Sequence, residues 1–345
     1  MTDTTSTDIM GEVYLQISPN ILESFPKFHP PVDLYHFDTS LAQVKKLHKA
    51  EVRMGKEKRA QIVDMADNGK LFLLRDDYRV YARHLSKKLG LLLVEEDFKP
   101  QEVAEIFFLA FRDRMEVFLE QPTEVSLKGM LKDLSILCEY LWADPGRVEF
   151  LTRSLNKEYG LAVHAVNTMF IGLALYTMVT RGRMNKDNLF NLGLGLIMHD
   201  MGMVNVPPFI REKEQFLVRS DRESIENHIE SGVAKLKRLG INAPIVVQCL
   251  KEHHERVDGS GYPARLKGTA ISIAGKITAL ADSYSAMVSH RPYHDPKGNA
   301  DAALLLANDT KKYDQAMAKL LAILILDGGK LREVVAAANR EDEES

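Results

Sequence analysis

The sequence predicts a mainly α protein, with an all-α helical bundle in the C-terminal half and a smaller α+β domain before it. Three observations carry that prediction. From residue 99 onward apolar residues recur at helical spacing almost without a break, whereas 11–97 mixes short alternating runs with helical ones. Ala143-Asp144-Pro145-Gly146 is the clearest punctuation in the chain. At 345 residues the chain is long enough for two domains. The expected organisation is a disordered start (1–10), an N-terminal α+β regulatory domain (11–98), linker helices (99–146), the main bundle (147–338) and an acidic tail (339–345).

In the first half, 13–17, 34–37, 71–74 and 91–94 read as short strands, and 41–65 and 77–89 as helices. Asp76-Asp77 reads as a helix cap and Asp67-Asn68-Gly69 as a turn into the strand that follows. No acidic pair with a matching downstream lysine marks a phosphoacceptor receiver domain. Helices are expected over 100–119 and 125–142, whose apolar content makes them a candidate homodimer surface. The second half continues with helices over 158–180, 187–200 (stopped near Pro207-Pro208), 220–239, 244–254, 271–289, 300–308 and 314–326. Ser220-Asp221-Arg222-Glu223 has the form of a capping box, and Gly240 suits the position after a helix end.

Composition excludes several classes. Apolar residues make up 45% and charged residues 27%, which is ordinary for a folded soluble protein. The only cysteines, Cys138 and Cys249, rule out a disulfide scaffold or a Cys-rich metal site, and they fit a reducing cytoplasm. A net charge of −3 gives no global attraction to DNA or to an anionic membrane, so phosphate binding must be local. The first ten residues do not form a signal peptide, and the apolar runs 169–180 and 189–198 are too short to span a bilayer. The expectation is a soluble cytoplasmic protein.

Seven ligand-type residues are spread over successive predicted helices. His164 lies on the first helix of the second half. His199 and Asp200 end the next, and His228 lies on the third. His253 and His254 close the fourth, and Asp282 lies on the fifth. A bundle can turn all of them inward to one point. Singly, each has a bland reading: a satisfied core histidine, a polar helix face, or, for His253-His254-Glu255, a solvated helix end. An unpartnered Asp282 on an apolar helix would be costly, so it needs a partner. Together they are best explained as a metal site. Imidazole and carboxylate without thiolate suit Fe, Mn, Zn or Ni, and the set is too large for one tetrahedral zinc. It suits two six-coordinate ions sharing a carboxylate, the usual clamp for phosphate-ester hydrolysis.

The segment KEHHERVDGSGYP at 251–263 resembles the signature of the HD-GYP domain family. His199-Asp200 supplies the HD, and His228 with Gly232 resembles the family's H-x-x-x-G helix. Ala281-Asp282-Ser283-Tyr284 resembles its A-D-x-Y segment and Arg291-Pro292-Tyr293 its R-P-Y. The resemblance covers about 147–335. It implies an HD-type all-α fold, a centre of two divalent ions (Fe or Mn), and hydrolysis of cyclic di-GMP to linear pGpG and sometimes on to GMP. It further implies one ion on His164, His199 and Asp282, a second on His228, His253 and His254, and Asp200 bridging them, with Asp200 and His199 as the catalytic pair. Gly261, Tyr262 and Pro263 would flank the pocket and form a docking surface for a diguanylate cyclase. Arg291 would contact phosphate through its guanidinium fork.

The sequence departs from the family pattern in four places. Gly160 stands where members with a third metal carry a glutamate, and Glu158, six residues before His164, falls on another helix face. Two ions and a product that stops at pGpG, or converts further only slowly, are therefore expected. Met203 replaces a lysine beside the phosphate, removing a cation worth several kcal/mol at about the transition state. Ser285 replaces a carboxylate expected behind the metal ligands, and such losses commonly cost about 10–100-fold. His294 replaces a basic residue after R-P-Y, so that contact would depend on pH. Lys276, Arg265 or Lys267 are candidates to compensate. The complete ligand set favours a phosphodiesterase regulated by its N-terminal domain. Met203 and Ser285 favour the competing reading of a metal-containing cyclic dinucleotide receptor or adaptor with little turnover. A third reading keeps the enzyme and changes the substrate to a hybrid cyclic GMP–AMP.

Overall fold

A computed structural model of the chain describes residues 13–38, 43–77, 89–93, 98–292 and 294–327, together with Val80, Ala82, Leu85 and Ser86. The expectations for 1–10, for 339–345 and for Tyr293, and most of the helix expected over 77–89, lie outside the described residues. The chain divides into two compact units, residues 1–110 and 111–345.

The first unit holds β1 (Tyr14–Gln16), α1 (Pro19–Ser24), β2 (Leu34–Asp38), β3 (Gln43–His48), α2 (Lys56–Asp67) and β4 (Leu71–Leu74). The strands form one antiparallel sheet in the order β1-β4-β2-β3. Leu15, Leu34, Leu71 and Leu73 point from the sheet onto Ile62 of α2 and Ile21 of α1, and all six are buried. Gly69, at φ +66°, makes the left-handed turn from α2 into β4 that favours glycine.

Two expectations fail here. The helix over 41–65 is a strand followed by a shorter helix. Gln43–His48 has residues that favour helix, but it pairs antiparallel with β2, and Lys45–Asp38 (2.9 Å) and Lys46–Asp33 (2.6 Å) ion pairs support that end of the sheet. The strand over 91–94 is, where described, part of a tight 3-10 turn over Leu89–Leu93.

The helix α3 (Pro100–Glu120) contains the division between the units. Within the second unit α4 (Glu124–Ala143) begins at a Thr123/Ser126 capping box, in which each backbone N–H donates to the other's hydroxyl. There follow α5 (Val148–Arg153), α6 (Leu161–Val179), α7 (Lys186–Met198), the single turn α8 (Pro208–Arg211), α9 (Arg219–Glu226), α10 (His228–Arg238), α11 (Pro244–Glu252), α12 (Ile273–Val288), α13 (Asn299–Asn308) and α14 (Gln315–Leu326). The core is α6, with α7, α12 and α14 packed around it and α11 closing against α7 and α12. By length and composition α6 passes the test for a membrane span. Its most apolar window is 89% buried, however, so it is the central helix of a protein core. Cys138 and Cys249 are free thiols whose burial pushes both up to about 12.

The expected capping box at 220–223 is replaced by a different device. The helix α9 starts one residue earlier, and the Asp221 carboxylate accepts from the Val218 N–H (3.1 Å) and from Lys213 Nζ (2.6 Å). The helix expected to run on to 239 breaks at Asn227 and restarts at His228, so His228 opens α10.

One glycine fixes the spacing between two site-bearing segments. Gly202, in the 3-10 turn after α7, packs so closely on α10 that a Cβ there would meet the backbone carbonyl of His228. Gly202→Ala should cost about 1–3 kcal/mol of stability through overpacking against backbone. Thermal unfolding is expected to shift down by roughly 2–4 °C per kcal/mol. An unchanged melting temperature would show that this contact does not constrain the fold.

Candidate metal centre

The backbone brings His164, His199, Asp200, His228, His253, His254 and Asp282 to one point. His164 lies one turn into α6, its N–H donating to the Gly160 carbonyl (2.9 Å). His199 caps the C-terminus of α7, and Asp200 turns out of the helix behind it. His228 opens α10, His253 caps α11 with His254 next to it, and Asp282 sits mid-way along α12. Five of these seven are at helix ends, where the chain changes direction and neighbouring side chains can converge.

Asp200 stands at the centre. Its Oδ1 is 3.2 Å from His228 Nε2 and 3.5 Å from His253 Nε2. Its Oδ2 is 3.7 Å from His164 Nε2 and from His199 Nε2. One carboxylate thus faces two separate imidazole pairs, one through each oxygen. Asp282 completes the second side: its Oδ1 is 3.0 Å from His164 Nε2 and 3.7 Å from His199 Nε2, and its Oδ2 lies 4.0 Å from His254 Nδ1.

The imidazoles are held with lone pairs facing inward. His199 Nδ1 donates to the Leu196 carbonyl (2.8 Å), His228 Nδ1 to that of Ile225, and His253 Nδ1 to that of Leu250 (2.9 Å). A carbonyl only accepts, so Nδ1 carries a proton and Nε2 is the nitrogen turned to the centre, its lone pair free once the ring is neutral. His228 Nε2 and His253 Nε2 then face each other at 3.2 Å, and His199 Nε2 is buried without a hydrogen-bond partner. Lone pairs aimed at one point need a cation between them. Two donor groups lie close enough to hold one: Asp200 with His228, His253 and His254, and His164 with His199 and Asp200. A nitrogen and oxygen donor set without thiolate fits first-row divalent ions.

The charges agree with that fit. Burial opposes ionisation of Asp200, but His199, His228 and His253 outweigh it and hold the carboxyl well below its usual range. Asp282 is likewise held low against burial by His164 and His199. Burial also opposes charge on His199, yet Asp200, Asp282 and the Leu196 carbonyl raise it to about 9. Burial pushes His254 well down and lowers His164 and His253. Two buried carboxylates therefore draw positive charge into the centre.

The surrounding residues hold these ligands in place. Ser285 Oγ lies 3.0 Å from His164 Nδ1, at the position where a carboxylate was expected. Glu255 is buried, not the solvated helix end of the bland reading, and its carboxylate accepts from the N–H groups of Ala264 (2.7 Å) and Leu266 (2.9 Å). It thereby ties down the loop carrying Gly261, Tyr262 and Pro263. Gly261 is buried where a Cβ would meet the His254 carbonyl and the Arg256 nitrogen, and Tyr262 stacks on His254 at 4.6 Å. Pro263 is exposed.

A cavity of about 650 Å³ opens over Asp200. Met203 and Arg291 line it, and Arg291 reaches His164 Nδ1 at 3.3 Å. Lys276 is paired with Asp314 (3.0 Å), and His294 is exposed beside a backbone bridge to Arg291. The sequence reading missed Arg211, Lys213, Phe216 and Arg222, which also line the cavity. The only signal for them is a run of basic residues soon after His199-Asp200, which exposed helices often carry anyway.

Residues 151–317 match the HD domain family. A cyclic di-GMP phosphodiesterase of Thermotoga maritima is 31% identical over 63% of this chain and 49% of its own length. A 3'3'-cGAMP-specific phosphodiesterase 2 of Vibrio cholerae is 41% identical over 29% of this chain and 19% of its own. The chain thus spans about half or less of the length of these relatives. In fold it is similar to the solved structure of Bd1817, a HDG"Y"P protein from Bdellovibrio bacteriovorus, with a TM-score of 0.61 at 16% identity over 91% of this chain and 99% of that one.

Metal analysis of protein purified without oxygen should find about two ions per chain. His164→Ala and His228→Ala should each reduce this to about one, and Asp200→Asn should remove most of both. Full occupancy in the Asp200 variant would overturn its place between two ions.

Proposed function

From the premise that residues 151–317 form an HD domain of the HD-GYP kind, we propose that the chain is a metal-dependent phosphodiesterase. It opens cyclic di-GMP to linear pGpG. The observation that carries this is Asp200, which divides two imidazole sets between its two oxygens at the floor of the cavity that Arg291 lines. Two Fe or Mn ions held there would neutralise phosphate oxygens and acidify a water molecule for attack on phosphorus.

The chain's own residues do the rest. Asp200 fixes the distance between the two halves of the centre. The helix-end carbonyls of residues 196, 225 and 250 keep the imidazoles oriented, so little reorganisation is needed during reaction. Ser285 holds the far edge of His164. Arg291 is placed to turn from His164 to a phosphate oxygen, and the Tyr262 ring stacks on His254. Water adds across one P–O3′ bond, leaving a 5′-phosphate on one nucleotide and a 3′-hydroxyl on the other. With Gly160 in place of a third-metal glutamate, the product stops at pGpG. The N-terminal unit would regulate this activity.

Met203 favours a second reading. An uncharged side chain lines the cavity where a lysine would help the phosphoryl group, which suits a cyclic dinucleotide receptor that docks a diguanylate cyclase through the loop at Pro263. Chromatography decides between them. The metal-loaded chain incubated with cyclic di-GMP should accumulate pGpG, with GMP formed much more slowly. Tight binding with no pGpG would overturn the enzyme in favour of the receptor. Faster cleavage of 3'3'-cGAMP than of cyclic di-GMP would change the substrate.

A further inference from the structure

The cavity over the metal centre holds more cation than the metal chemistry uses. Lys213 is spent on Asp221 (2.6 Å), and Arg291 leans on His164 and lies over the Tyr159 ring at 5.7 Å. Arg211, on the single turn α8, is different. Its Nε is buried and has no hydrogen-bond partner, and none of the described residues makes an ion pair with its side chain. An arginine retained for stability would meet a carboxylate here. This one lines the same cavity as Asp200, Met203 and Arg291. Arg291 Nε is also buried without a partner. The cavity therefore carries two guanidinium groups with unsatisfied N–H donors and, at its floor, a cluster built for cations. A buried N–H left without an acceptor is costly, and a phosphate oxygen is the acceptor a guanidinium fork fits best.

Resting on the function proposed above, we propose that Arg211 is the cavity's second phosphate-binding residue. It lines the same cavity as Arg291 and presents a second guanidinium there from α8. A ligand with two phosphates would be gripped at both: one phosphate over the metals beside Arg291, the other on Arg211. This makes Arg211 a specificity-determining residue that selects bis-phosphate ligands over mononucleotides. It lies outside the HD, GYP and R-P-Y segments, which is why it carries no motif.

The test is titration calorimetry on the metal-loaded full chain with two probes, cyclic di-GMP and inorganic pyrophosphate, at fixed free metal. Arg211→Ala should weaken both by about 10–100-fold while leaving metal content and melting temperature unchanged. Arg211→Lys should recover only part of the loss, because a point charge replaces a fork. Affinities of Arg211→Ala within twofold of the parent for both probes would overturn the proposal, as would a matching loss of bound metal. If the parent binds pyrophosphate but not cyclic di-GMP, and Arg211→Ala weakens pyrophosphate, the substrate assignment falls and the Arg211 site stands. If the parent binds neither, both fall.

Discussion

The burial of two ionised carboxylates among five imidazoles is the constraint on which the second unit depends. Asp282 is buried in the bundle and Asp200 is largely shielded at the floor of the cavity, and an unpaired charge at either would cost on the order of several kcal/mol. The fold meets that cost with nitrogen donors from His199 beside Asp200 and from three further segments, and those donors need fixed orientation. Orientation comes from main-chain carbonyls at the ends of α7, α9 and α11, which are groups that helix geometry leaves without partners. Unsatisfied helix ends and undercharged imidazoles are thus settled by the same hydrogen bonds. That is why five of the seven ligands sit at helix ends, while His164 and Asp282 lie within helices.

Much of this was legible in the sequence, for a physical reason. Helices of the second half advertise themselves by apolar periodicity. Histidines on four of them are visible as breaks in that pattern, so counting helices also ordered most of the ligands. The spacing between ligand pairs was not legible. It depends on Gly202 resting against the His228 carbonyl and on the chain breaking at Asn227, neither of which leaves a periodic trace. The strand Gln43–His48 was misread for a related reason. Its Gln, Lys and Leu residues favour helix locally, and only pairing with Leu34–Asp38, a contact between separate segments, overrides them.

Glu255 shows the limit of reading polarity as exposure. Next to two histidines and an arginine it looks like a solvated helix end. In the fold it is buried because the loop from Gly261 onward turns back over it and supplies two N–H donors. A carboxylate that serves as the acceptor for a loop's backbone is invisible until the loop is closed. Once closed, the loop sets where Tyr262 stacks on His254. Arg211 was hidden in the same way: its position in sequence suggests solvent, and its position in space is the wall of the cavity over Asp200.

The departures at Met203 and Ser285 look different when placed together. Taken one at a time against the family pattern, each is a loss: a cation gone near the phosphate, and an anion gone behind His164. In space Met203 lines the cavity over Asp200 and Ser285 lies behind His164, and together the two changes remove one charge of each sign. The net charge that metals and substrate must balance is therefore unchanged. Ser285 still provides an oxygen 3.0 Å from His164 Nδ1, so the hydrogen bond that orients the ligand survives without the carboxylate's negative field. A third buried carboxylate would have deepened the site's demand for positive charge just where Met203 offers none. The serine and the methionine are consistent with each other, and each would be harder to accommodate alone.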